Sequence, residues 1–193
     1  ESLGYEITYL SVDSFGRLNL DELKKSIKED TCLITVMMAN NEIGNIYPIK
    51  EIGEIAKEHG VLFHTDAVQA VGNVHINVKE QNIDMLSISA HKFHGPKGIG
   101  VLYARKGIFL VNIIEGGAQE RGKRAGTENI PAIMGMAAAL EDACAHMKEN
   151  NAKVTALRDK LIAGLSQIPH CALNGDPVNR LPGNVSFCFE GIE

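Results

Sequence analysis

Short apolar runs alternate with segments of helical period along this chain, and that alternation limits the folds open to it. Residues 31–38 form a continuous β-rich apolar run, suited to a strand covered on both faces. Further strand-like runs lie at 5–10, 61–63, 85–89 and 100–104, with another candidate at 109–114. Between them, residues 19–28 read as a short helix capped by Asn19, with Leu20, Leu23 and Ile27 on one face. Residues 48–59 read as a second helix, opened by Pro48, stopped by Gly60 and carrying Ile49, Ile52 and Ile55 inward. Strands and helices alternating at these lengths predict an α/β fold, a mostly parallel sheet flanked by helices.

Towards the C-terminus the pattern changes. Residues 131–147 are apolar almost all round, with Ile133, Met136, Ala137, Leu140 and Cys144 at helical spacing, which predicts a buried helix. A second amphipathic helix follows, carrying Val154, Leu157, Leu161 and Leu165 on one stripe, and two strand-like pieces at 171–174 and 184–189 complete the chain. At 193 residues there is enough chain for a sizeable core. A net charge of −5, spread along the sequence, gives no electrostatic basis for binding nucleic acid. No stretch approaches the roughly 20 apolar residues of a membrane span. Cys32, Cys144, Cys171 and Cys188 show neither C-x-x-C spacing nor a metal-ligand cluster, so no metal is expected. Cys32 and Cys144 read as small buried residues in a reducing compartment, and Cys188 as an alternating strand residue.

Two strand ends carry the chemistry. The run 61–63 leads into His64-Thr65-Asp66, and 26 residues after that aspartate the run 83–89 leads into Ala90-His91-Lys92. Singly, an Asp at a strand end is a cap or turn former and a Lys there is a solvated loop residue. Together they are what a pyridoxal phosphate enzyme needs: a lysine amine to form a Schiff base with the cofactor aldehyde, and a carboxylate to keep the pyridine nitrogen protonated. Ser89 and His91 flank the lysine with donors suited to a phosphate, and Gln69, one helical turn past Asp66, can reach a phenolic oxygen. Lys97 is the rival nucleophile, but its Gly95-Pro96-Lys97-Gly98 turn reads as structural.

Four stretches, in this order, resemble the motifs of the cysteine desulfurases, the NifS/IscS-type members of the class V aminotransferase superfamily. They are Ala39-Asn40-Asn41-Glu42-Ile43-Gly44, His64-Thr65-Asp66-Ala67-Val68-Gln69, Ser89-Ala90-His91-Lys92-Phe93-His94-Gly95-Pro96-Lys97-Gly98 and Arg124-Ala125-Gly126-Thr127-Glu128-Asn129. The resemblance runs over nearly the whole chain, and lysine in the Gly-Pro-Lys-Gly turn is more similar to this branch than to the SufS-type one. It implies the aminotransferase type I fold, with residues 1–130 as part of the cofactor-binding large domain, 131–150 as a connecting helix and 151–193 as the start of a small C-terminal domain. It also implies pyridoxal 5'-phosphate as cofactor. Lys92 is then the anchoring and acid/base residue, with His91 catalytic beside it, and Asn41, Asp66, Gln69, Ser89, His91 and Thr127 complete the cofactor site.

The activity implied is removal of sulfur from L-cysteine, giving L-alanine and an enzyme persulfide for iron-sulfur cluster or thiocofactor assembly. The implied setting is a cytoplasmic homodimer that hands sulfur to an acceptor or scaffold protein, with no nucleic acid or membrane as partner. In such enzymes the threonine matching Thr127 serves the neighbouring subunit's cofactor phosphate, whereas composition alone makes 116–127 a flexible surface loop. A chain beginning Glu-Ser-Leu without Met reads as an internal fragment. The family's ring-stacking histidine, carboxylate-binding arginine and persulfide-forming cysteine are therefore expected outside it, and the fragment is expected to be inactive. Two alternatives stay open at this point: a selenocysteine lyase or other class V enzyme, and a non-catalytic fold fragment or dimerisation module.

Overall fold

The alternating runs assemble into one four-stranded sheet, with a smaller two-stranded sheet near the C-terminus. The structure, a computed structural model, describes residues 4–192; Glu1, Ser2, Leu3 and Glu193 lie outside them. The elements are α1 (Leu20–Ser26), β1 (Leu33–Thr35), α2 (Ile49–Glu58), β2 (Leu62–Asp66), β3 (Met85–Ser89), a 3-10 turn η1 (Ala90–Phe93), β4 (Gly100–Ala104), a single turn α3 (Gln119–Gly122), α4 (Ile130–Leu165), β5 (Cys171–Leu173) and β6 (Phe187–Phe189).

Strands β1, β2 and β3 are parallel neighbours in that order, and β4 closes the row antiparallel to β3. The sense of β4 follows from its connection. Ten residues separate β3 from β4, too few for the crossover of a dozen or more that a parallel partner requires. Helix α1 starts where expected, because the Asn19 side chain accepts from the amides of Asp21 and Glu22. Helix α2 buries Ile49, Ile52, Ile55 and Ala56, a 3.6-residue stripe that packs with Phe63, Ile34 and Ile83 in the core. Gly53 lets α2 approach the 77–82 turn; a Cβ there would lie 2.0 Å from the Gln81 carbonyl oxygen.

Several local expectations are corrected. Residues 5–10 form no strand, and among the described residues the N-terminal segment pairs through a bridge between Val12 and Leu18. Residues 109–114 are also not a strand. β1 lies at the sheet edge with Leu33 and Thr35 exposed and only Ile34 buried, so it is covered on one face. The two expected helices after residue 130 are one continuous helix of 36 residues. It buries only Ala132 and Met136. Cys32 and Cys144, expected inside, are exposed. Apolar residue type alone set those expectations, and apolar side chains are common on surfaces too.

Candidate active site

Three consecutive parallel strands end side by side, and the candidate residues follow those ends. Pairing of β1 with β2 continues past its last strand residue, because the Val36 amide donates to the His64 carbonyl (3.2 Å) and the Met38 amide to the Asp66 carbonyl (2.7 Å). The Asn40–Asn41 turn therefore starts next to Asp66. Asp66 in turn pairs with Ser87 in β3, and Ser89 at the end of β3 passes directly into the turn bearing Lys92. Asn41, Asp66, Ser89, His91 and Lys92 are thus gathered beyond the carboxyl ends of β1, β2 and β3, where ligands bind in open α/β sheets.

The outward pose of Lys92 has a local cause. In a 3-10 turn positions i and i+3 fall on one side, so Ala90 and Phe93 both point inward and are buried, while His91 and Lys92 face solvent. His94 ends the turn with left-handed backbone, φ 68°. Gly95 then passes so close to Ala90 that a Cβ would lie 2.9 Å from the Ala90 Cβ. Pro96 packs on α4 at Gly135, where a Cβ would lie 2.8 Å from the Pro96 ring. The Gly-Pro-Lys-Gly turn is thus a buttress, with Lys97 exposed on it.

Polar groups around Lys92 and Asp66 are arranged but not closed. Ser89 Oγ and His91 Nδ1 share a hydrogen bond of 2.8 Å. Asp66 Oδ1 accepts from the Val68 amide at 2.9 Å, and the other carboxylate oxygen has no hydrogen-bond partner among the described residues. Gln69 is half-buried on the turn that follows, its carbonyl accepting from Asn73 Nδ2. Asn41 is exposed, with its side-chain amide donating to Glu42. Thr127 is exposed on the loop between α3 and α4, and no hydrogen bond joins it to the other candidates among the described residues. Within the α3 turn that precedes this loop, Glu120 and Arg121 both take left-handed backbone, φ 50° and 58°, at a cost on the order of 1–3 kcal/mol each.

His64 lies two residues before Asp66 on the same face of β2. Its Nδ1 is 2.7 Å from Thr35 Oγ1 and its Nε2 2.8 Å from Ser87 Oγ, a polar ladder across the three parallel strands. Burial pushes its pKa below the ordinary 6.5, and the Asp66 charge counters this only in part. The imidazole is therefore neutral at pH 7, and each ring nitrogen is occupied by a hydroxyl. Because the unfolded chain binds that proton more readily, the contribution of His64 to stability is present above its unfolded pKa and falls as pH drops through that value. A histidine-resolved NMR titration of the full-length protein should give His64 a midpoint below 6.5. A midpoint above that value would contradict the burial argument.

One constellation escaped the sequence reading. Arg180 and Asn184 close on the Asn40–Asn41 turn from the far end of the chain, Arg180 at 3% exposure. The signal was faint: Arg180 sits among the turn formers Gly175-Asp176-Pro177 and Pro182-Gly183, while Asn174 and Asn184 fall at the ends of the expected strand pieces 171–174 and 184–189.

The sequence profile of the family described as Aminotransferase class-V matches residues 1–193. A cysteine desulfurase IscS of Methanosarcina thermophila is 56% identical over 193 residues, all of this chain and 48% of that protein. A solved NifS-like protein superposes with a TM-score of 0.95 at 40% identity, over 99% of this chain and 53% of its own. A solved SspA in complex with cysteine superposes with a TM-score of 0.71 at 45% identity, over 72% of this chain and 41% of its own. The chain spans about half the length of the curated relatives it matches.

Proposed function

The chain belongs to the aminotransferase class-V family, and from that membership we propose that the protein containing it is a pyridoxal-phosphate cysteine desulfurase. It takes sulfur from L-cysteine, leaves L-alanine and passes a persulfide to an acceptor or scaffold protein of iron-sulfur assembly. The observation that carries this reading is the placement of Asp66 and Lys92 beyond the adjacent ends of β2 and β3, together with a relative named cysteine desulfurase at 56% identity.

The residues present fit the cofactor. An exposed lysine, a carboxylate with one oxygen unclaimed among the described residues and a hydroxyl–imidazole pair face one region. When bound, pyridoxal phosphate supplies an electrophilic carbon for an amine and a ring that accepts an electron pair. Lys92 Nζ would anchor the group and would hold and move the proton at the substrate Cα. Asp66 holds a proton on the pyridine nitrogen by a charge-assisted hydrogen bond. Gln69 donates to the phenolic oxygen, Asn41 contacts cofactor and substrate, and Ser89 and His91 bind the phosphate or orient the lysine.

We assign residues 1–130 to the cofactor domain, 131–150 to the connecting helix and 151–193 to the start of the small domain. The activity belongs to the whole protein, a cytoplasmic homodimer. No helix of the described residues is long and apolar enough to cross a membrane. Phe109, Val111 and Ile113 alternate along one segment at 90%, 80% and 97% exposure, an apolar strip of the kind a partner surface covers. The reading is tested by incubating the full-length protein with pyridoxal phosphate, L-cysteine and a thiol reductant. Alanine and sulfide should appear in equal amounts and only with the cofactor; cofactor-dependent products of another class would overturn it.

In the proposed dimer, Thr127 acts in the partner's site, as the family resemblance of the 124–129 stretch implies. Thr127→Ala should weaken cofactor retention without unfolding the protein. Mixing it with Lys92→Ala should restore up to about a quarter of wild-type activity at random exchange, because mixed C2 dimers then hold one intact site of two. No recovery, with subunit exchange demonstrated, would place Thr127 in its own subunit's site.

A further inference from the structure

The turn bearing Asn41 is closed from within by its own residues. Asn40 Oδ1 accepts from the Glu42 and Ile43 amides, both at 2.9 Å. The Asn40 carbonyl accepts from the Gly44 amide at 3.1 Å, and the Asn45 carbonyl from the Asn40 amide at 2.8 Å. These bonds set the shape of the turn but leave the carbonyls of Asn41 and Glu42 pointing out of it.

A single side chain takes both. Asn184 Nδ2 donates to the Asn41 carbonyl at 3.2 Å and to the Glu42 carbonyl at 3.3 Å. Its Oδ1 accepts from Arg180 Nη2 at 3.2 Å, and Arg180 Nε donates to the Asn184 carbonyl at 3.3 Å. The same guanidinium donates to the Ile43 carbonyl through Nη2, at 3.1 Å, and to the carbonyls of Asn174 and Asp176 through Nη1. A buried planar fork with all its directions occupied is a rigid support. The fit is close: Gly44, at φ 80°, leaves room for Asn184, where a Cβ would lie 2.6 Å from its carboxamide. The wider contact between the two segments does not need this amide. The Leu181 amide donates to the Gly44 carbonyl at 2.8 Å and the Ile46 amide to the Asn179 carbonyl at 2.9 Å, while buried Asn45 accepts from the Asp176 amide at 2.6 Å.

We propose that Asn184, held in place by Arg180, is a positioning residue that fixes the Asn41 turn against the carboxyl ends of the sheet. The proposal rests on the reading of Asn41 as a cofactor- and substrate-contacting residue. A turn fixed before the ligand arrives spares the ordering cost at binding. Through Arg180 the segment 174–184, remote in sequence, sets the position of the loop.

The experiment uses the full-length protein with Asn184→Ala, Asn184→Asp, Asn41→Ala and the double variant Asn41→Ala/Asn184→Ala. Asn184→Asp keeps an acceptor for Arg180 while losing the donor to the two carbonyls, so it separates the tether from the support. Both single changes at 184 should weaken pyridoxal phosphate binding or raise the KM for L-cysteine by about tenfold with a smaller change in kcat, and Asn184→Asp should do so at a melting temperature near that of wild type. In the Asn41→Ala background the Asn184→Ala change should cost less than about twofold, since residues acting as one unit are non-additive. Full additivity in the cycle would overturn the proposal. Amide exchange at Glu42, Ile43 and Gly44 gives a readout independent of the cofactor and should speed up at least about tenfold in Asn184→Asp. Unchanged exchange would overturn the brace itself. A wild-type protein that binds no pyridoxal phosphate would instead defeat the functional reading, and the positioning role with it.

Discussion

Substituting alanine for Lys92 in the full-length protein is expected to lower L-cysteine turnover by at least about 10³-fold, because one side chain is asked for two tasks. In the proposed mechanism it anchors the cofactor and transfers the proton at the substrate Cα, and acid–base transfer alone contributes about 10²–10⁴-fold. The η1 turn gives the change a clean interpretation. Lys92 is exposed while its neighbours Ala90 and Phe93 supply the packing, so truncating it leaves no cavity, and stability should change by less than about 0.5 kcal/mol. Lys97→Ala, on the buttress turn, serves as the contrast and should retain turnover within about twofold. Steady-state alanine formation checks both. A Lys92→Ala protein within tenfold of wild type would end the assignment.

Alanine at Asp66 is expected to cost about 10²–10³-fold in kcat, the size of effect seen when one preorganised electrostatic partner is removed. Cofactor retention should fall less. A charge-assisted hydrogen bond contributes about 1.5–3 kcal/mol to binding, but the charge matters most where negative charge develops on the substrate carbon. Asp66→Asn should resemble alanine in turnover, because a neutral amide cannot hold the pyridine nitrogen protonated. Comparing kcat with the cofactor dissociation constant for both variants separates the two effects. Near-normal kcat for Asp66→Ala would remove the carboxylate from the account.

The central strands were legible because their residues make the decision locally. β3 at Met85–Ser89 and β4 at Gly100–Ala104 fall where the apolar runs place them, and α2 follows its isoleucine stripe. The placement of Asp66 and Lys92 was legible because parallel strands deliver their carboxyl ends to one edge, so a residue at a strand end already has an approximate position in space. The misreadings share a cause. Residues 109–114 have strand-like composition but no strand partner, and the exposure of Cys32 and Cys144 depends on what covers β1 and α4, which periodicity does not encode. The Arg180–Asn184 brace was hidden for a third reason. It joins residues about 140 positions apart, and turn formers such as Asn184 signal a change of direction without showing which distant carbonyl their side chains will serve.

The most direct test of the site is to find which lysine carries the cofactor. The full-length protein is loaded with pyridoxal phosphate, reduced with borohydride to fix the attachment, digested and mapped by mass spectrometry. The account predicts a single modified peptide with the added mass on Lys92, absent from Lys92→Ala and unchanged in Lys97→Ala. Modification at Lys97, or at any lysine away from the carboxyl ends of β2 and β3, would contradict it.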